Sequence, residues 1–148
     1  MRALLFLLFL AACAEGPDAG VSPHTGVASR TSGVVTIDRR HPARLEVRAV
    51  RLAKDGAEAF ALLTFVTRSD LNYPKIESVW ARGTTLPYEL LDRRRVGRSR
   101  QEAGSIRLTR GAAEAAARAG GLRLQMIGRR GTYGGTVPGA IFGEVLAR

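Results

Sequence analysis

Apolar and polar positions alternate from Arg44 to Ala53, with Leu45, Val47 and Ala49 on one face and Val50 and Leu52 on the other. Side chains of a strand point alternately to its two faces, so the change of face predicts a bulge or an exit from one side of a sheet. Lys54-Asp55-Gly56 follows, and Asp-Gly supplies the positive φ of a tight hairpin turn. Ala59 to Val66 is apolar at nearly every position, as in a central strand covered on both sides. Further strands are predicted over Ile76–Arg82, which carries Trp80, and over Leu86–Leu91, Ser105–Leu108 and Leu122–Ile127. Turns are expected at Ser69–Pro74 and Gly83–Thr85. Arg93–Gln101 reads as a basic loop and Gly128–Gly135 as a glycine-rich one.

Two segments carry helical spacing. Thr109 is placed to cap a helix over Arg110–Ala119. Arg110, Glu114 and Arg118 form a polar ladder, Ala112, Ala113, Ala116 and Ala117 allow close approach, and Gly120-Gly121 ends the helix. Pro138 suits a helix start, after which Ile141, Phe142, Val145 and Leu146 make one apolar stripe. Strands first, then strands mixed with helices, predict an α+β fold: a mostly antiparallel sheet of five to six strands with two helices on one face. The alternative is a β-sandwich with helical decoration.

Charge changes the picture only in part. The chain has a formal net charge of +10, and its only lysines are Lys54 and Lys75. Arginine beside abundant Ala and Gly is also the ordinary composition of a GC-rich coding sequence, so a high pI alone does not specify a partner. Attraction to anions is the functional counterpart: lipid phosphates, cell-wall carboxylates or nucleic acid. The densest cluster, Arg93, Arg94, Arg95, Arg98 and Arg100, is the candidate anion-binding site, because guanidinium groups hold phosphate and carboxylate in bidentate fashion.

The beginning of the chain carries an address. Met1-Arg2 is a minimal charged region, and Ala3 to Ala12 is an apolar run with small residues at its end, the order of a secretory signal. As a helix the run would span about 15 Å, half a bilayer core. Cys13, the one cysteine of the chain, follows directly. Leu10-Ala11-Ala12-Cys13 resembles the lipobox of bacterial lipoproteins. That resemblance implies cleavage before Cys13, lipidation of its sulfur with a diacylglycerol, and an acyl chain on the new N-terminus. Several chains give stable anchoring where one is marginal. Ala14, rather than Asp, after the cysteine leans toward the outer membrane. The expected organisation is a signal peptide over 1–12, the lipidated Cys13 and a flexible tether over 13–33, and one globular domain over 34–148, which holds no cysteine and no disulfide.

Catalytic patterns are thin. His24 and His41 lie in or beside the expected tether, without a partner at metal-ligand spacing. No nucleophile elbow or Walker loop occurs. Glu77, Glu89 and Asp92 alternate so as to face solvent or arginines. Gly128-Arg129-Arg130-Gly131 has the spacing of a KH-type loop but follows a strand instead of joining helices. Tyr73, Trp80 and Tyr88 are expected to serve packing more than recognition. The sequence therefore predicts no enzyme, metal, cofactor or nucleic-acid partner. It predicts a lipid-anchored, periplasm-facing binding or assembly module with an envelope protein partner. The alternative is a binder of anionic lipopolysaccharide or peptidoglycan through the arginine-rich segment.

Overall fold

The computed structural model describes residues 16–147. Cys13, its lipobox and the signal segment lie outside those residues. The described chain is mostly antiparallel sheet with two short helices. Its strands are β1 (Asp18–Val21), β2 (Ala28–Thr31), β3 (Val35–Asp38), β4 (Ala43–Lys54), β5 (Ala57–Arg68), β6 (Ile76–Ala81), β7 (Thr84–Leu86), β8 (Tyr88–Val96), β9 (Ser99–Leu108), β10 (Gly121–Gly128) and β11 (Gly131–Pro138). The helices are α1 (Arg110–Arg118) and α2 (Gly139–Leu146).

Two sheets form where one of five to six strands was expected. The larger has the order β1-β2-β4-β5-β9-β8, with β3 also pairing β4; the smaller has the order β11-β10-β6-β7. Leu45, Val47, Leu62 and Ile106 of the large sheet meet Val79, Leu124, Met126 and Val137 of the small one in a common core. Ala113 and Ala116 of α1 and Ile141, Phe142 and Val145 of α2 belong to the same core. The helices thus extend a core that the two sheets share, and the architecture joins features of both expected folds.

The β4–β5 hairpin forms as its pattern predicts. Pairing runs without a shift from Ala43–Arg68 to Lys54–Ala57, and Asp55 and Gly56 take φ values of 52° and 80°. The expected bulge in β4 is absent. Val50 and Leu52 instead join Val27, Leu63 and Phe65 in a second apolar cluster on the other face, so the hairpin buries apolar side chains on both faces. Thr109 caps α1 by accepting from the backbone N–H of Ala112 at 3.1 Å.

The expected tether is folded over the part that is described. β1 and β2 pair with each other, and β2 pairs with β4. Ser32 is fully buried, and its hydroxyl accepts from the Ala49 N–H at 2.8 Å. Arg48, also fully buried, donates to the Ser32 carbonyl at 2.8 Å and to the Gly16 carbonyl at 2.7 Å. This segment is held by backbone pairing and a buried guanidinium, and neither leaves an apolar alternation to read.

Polar clamps join the sheets at one end. Asp38, Leu45, Val66, Glu102 and Arg93 are successive cross-strand neighbours, forming one row across the large sheet. From that row Asp38 accepts from the Gly134 N–H of β11 at 2.9 Å, and Glu102 reaches the start of β6. In the next row Arg68 donates to the Arg130 carbonyl at 2.7 Å and to the Tyr133 hydroxyl at 2.6 Å, while its other edge pairs with Asp70. Hydrogen bonds from Arg68 hold the Asp70 carboxyl down at about 2, against 3.8 for the free group. A carboxylate lowered by folding adds stability above its unfolded value and loses it as pH falls through its folded one. Asp70→Asn is therefore expected to flatten the loss of stability between pH 3.8 and about 2. Urea midpoints across that range check it, and a slope equal to wild type would contradict the assignment.

Candidate functional site

Glu102 is the most deeply buried carboxylate among the described residues, with its side chain fully enclosed. One oxygen accepts from the Ile76 N–H at 2.9 Å and the Tyr88 hydroxyl at 3.2 Å; the other accepts from the Lys75 N–H at 3.0 Å and Arg93 Nε at 3.0 Å. A carboxylate has about four acceptor positions, and all are taken. Burial, then the charge of Glu102, pushes the Tyr88 hydroxyl upward, so it stays a protonated donor at neutral pH. Gly104 makes the arrangement possible: a Cβ there would fall 2.2 Å from the Tyr88 ring. This constellation is a structural anchor, with no lone pair left for acid–base work.

The arginine cluster is not a loop. β8 runs on through Val96, a two-residue turn at Gly97-Arg98 reverses the chain, and β9 begins at Ser99. Gly97 takes a φ of 59°, which suits the first central position of such a turn. Arg93 binds Glu102, Arg94 donates to Gln101 at 2.9 Å, and Arg100 lies over the Tyr73 ring at 6.0 Å. Arg95 stands opposite Arg100, and Arg98 sits at the tip. The five guanidiniums are therefore spread over two faces and a tip. Arg94, Arg95 and Arg98 are exposed and make no ion pair among the described residues. Their alternation was unreadable as a strand because most of β8 is a wet edge with no apolar partner to mark it.

A concave surface lies elsewhere, on the solvent face of the small sheet. Leu122, Leu124 and Met126 of β10 point to the core, which leaves Arg123, Gln125 and Ile127 outside. Val79 and Ala81 of β6 also point inward, leaving Ser78 and Trp80 outside. Gln125 pairs with Trp80 on one side and Gly134 on the other, and Arg123 pairs with Thr136. These residues line a groove of about 920 Å³ with Arg82 and Arg40 at its margins. Trp80 is 37% exposed, which corrects its expected packing role, and its indole N–H donates to Ser78 Oγ at 3.2 Å. Tyr88 does pack inside, so the three aromatics share no platform. Arg82 and Gly83 form the β6–β7 turn with φ values of 52° and 73°, a conformation that disfavours a side chain at Arg82.

Arg40 is committed to Asp38, with Nη2 to Oδ2 at 2.7 Å and Nε to Oδ1 at 3.0 Å. Hydrogen bonds from Arg40 hold the Asp38 carboxyl below its usual range. Arg82 and Arg123 have no such partner among the described residues, and no carboxylate lines the groove. The sequence offered one signal for this site, the tryptophan standing in the polar row Ser78, Trp80, Arg82. The Gly128–Gly135 segment was expected as a loop, but it is the β10–β11 hairpin, with Arg129-Arg130 as its turn. His24 and His41 are exposed, and among the described residues no three metal-ligating side chains gather to hold an ion. Comparison with family models, with curated proteins and with solved structures gives no match.

Proposed function

We propose that the protein is a lipid-anchored, periplasm-facing binding or assembly module of the bacterial envelope, acting without catalysis. Cys13 would carry the lipid, and the outer membrane is the favoured location. The outer face of the small sheet would engage an envelope partner. The observation that carries this reading is the groove itself: a concave, open surface on rigid strands, with a partly exposed tryptophan and two arginines that lack acidic partners. Binding surfaces built on strands hold their shape better than those on loops.

A second reading places anionic envelope ligands at the β8–β9 hairpin, favoured by the exposure of Arg94, Arg95 and Arg98. Two measurements test the main reading. Radiolabelled palmitate should enter the wild-type protein and fractionate with the outer membrane, and Cys13→Ser should abolish both. A photo-cross-linker placed at Gln125 should capture a discrete envelope component in cells, while one at Lys54, at the exposed end of β4 in the large sheet, should not. An unlabelled wild type would overturn the anchor. A Gln125 cross-link pattern identical to that at Lys54 would overturn the use of this face.

A further inference from the structure

We infer that the groove on the small sheet binds an acidic saccharide, a sugar bearing a carboxylate or a phosphate, stacked on Trp80 and held by Arg82 and Arg123. The inference rests on the binding-module reading above and names its ligand.

The side chains of the groove have binding capacity left to give. The Trp80 N–H is already used by Ser78, so the ring offers its carbon surface. An aromatic face of that kind packs against another ring or against the C–H face of a sugar. Gln125, Thr132 and Thr136 add an amide and two hydroxyls, which can both donate and accept. That mixture suits a ligand rich in hydroxyl groups.

The charge comes from a like-charged neighbourhood. Ala81 pairs with Leu124, so Arg82, which follows the first, and Arg123, which precedes the second, flank the same end of the groove. Like charges facing each other across strands are destabilising. Here no carboxylate of the described residues relieves them. A bound anion would do so, and the planar guanidinium fork fits carboxylate and phosphate equally. The two sources of such a group in an envelope are a carboxylated cell-wall sugar and a phosphorylated lipid-linked sugar.

The molecule supplies its own probe. Trp80 is the only tryptophan of the chain, so tryptophan emission excited at the red edge reports on the groove alone. The full chain, purified in detergent, is titrated with a muramic-acid glycan fragment, with a glucosamine disaccharide bisphosphate, with a neutral chitin oligomer and with adenosine monophosphate. The expected result is a saturable change of Trp80 emission with at least one acidic sugar, at least tenfold weaker with the neutral oligomer and with the nucleotide. The stronger acidic sugar identifies the source. Arg82→Gln/Arg123→Gln should weaken that binding at least tenfold by calorimetry, and Trp80→Phe several-fold. If the double variant does not fold, the wild type's loss of affinity with rising salt supplies the same test. Arg94→Glu/Arg95→Glu should leave the affinity unchanged.

Four results would overturn the inference. They are an unmoved Trp80 emission with both acidic sugars, a stronger response to the nucleotide, binding that survives removal of both arginines, and loss caused only by the hairpin variant. If Gln125 still cross-links a protein in cells while Trp80 ignores the sugars, the saccharide fails and the module reading stands. If neither occurs, both fail.

Discussion

Replacing Glu102 by alanine is expected to cost about 3–5 kcal/mol, the range seen when one member of a buried charged network is removed. The origin of the loss can be assigned. Arg93 is 39% exposed on its side chain, so after the substitution its charge turns to water at little cost. The backbone N–H groups of Lys75 and Ile76 cannot do so, because they point to where the carboxylate was. A buried donor left unmade costs about 1–3 kcal/mol. Two such donors and the Tyr88 hydroxyl account for the range without any contribution from the ion pair. Glu102→Gln keeps the shape and one acceptor oxygen, so about half the loss is expected. Denaturant midpoints at unchanged slope measure both variants. A loss below about 1 kcal/mol for the alanine variant would show that water replaces the carboxylate, and the clamp would then not hold β6 to β9.

Gly135→Ala is expected to cost about 2–3 kcal/mol by crowding, the reverse of a cavity. A Cβ at Gly135 would lie 2.2 Å from the Ile37 carbonyl oxygen, and that oxygen belongs to β3, which cannot swing aside like a side chain. The alternative to local strain is separation of β11 from β3, which would also lengthen the Gly134–Asp38 hydrogen bond. Gly143→Ala is the matched control. Nothing lies within 4 Å of a Cβ there, the residue sits inside α2, and the change should stabilise by about 0.5–1 kcal/mol. Thermal melts of the two variants should shift in opposite directions. Equal small shifts would mean that the β3–β11 contact is loose.

Elements defined by local chemistry were readable in the residues. The Asp55-Gly56 turn, the Thr109 cap and the inward Leu122, Leu124 and Met126 are all where their patterns put them. The elements that were not readable owe their form to something distant. β1 and β2 are largely exposed or half-buried strands held by β1 pairing to β2 and β2 pairing to β4, and their Gly- and Pro-rich surroundings look like a linker. β11 contains the glycines that suggested a loop, because its backbone passes close to the Leu124 and Ile37 carbonyls. The division into two sheets depends on which strands meet side by side, and alternation gives a strand's faces but not its neighbours. The groove was half visible for the same reason. Arg123 and Gln125 could be placed outward from their own strand, but only the register brings them beside Trp80.

The order in which the chain visits the two sheets has a kinetic consequence. β1 to β5 build the large sheet, β6 and β7 start the small one, β8 and β9 return to the first, and β10 and β11 complete the second. The two halves of the small sheet are separated in the chain by the β8–β9 hairpin, which belongs to the other sheet. The bonds that close the structure join residues 62 positions apart at Arg68–Arg130 and 96 apart at Asp38–Gly134. Each requires a large loop to be closed before any contact rewards it, which places folding among the slow, topology-limited cases, on the order of milliseconds to seconds.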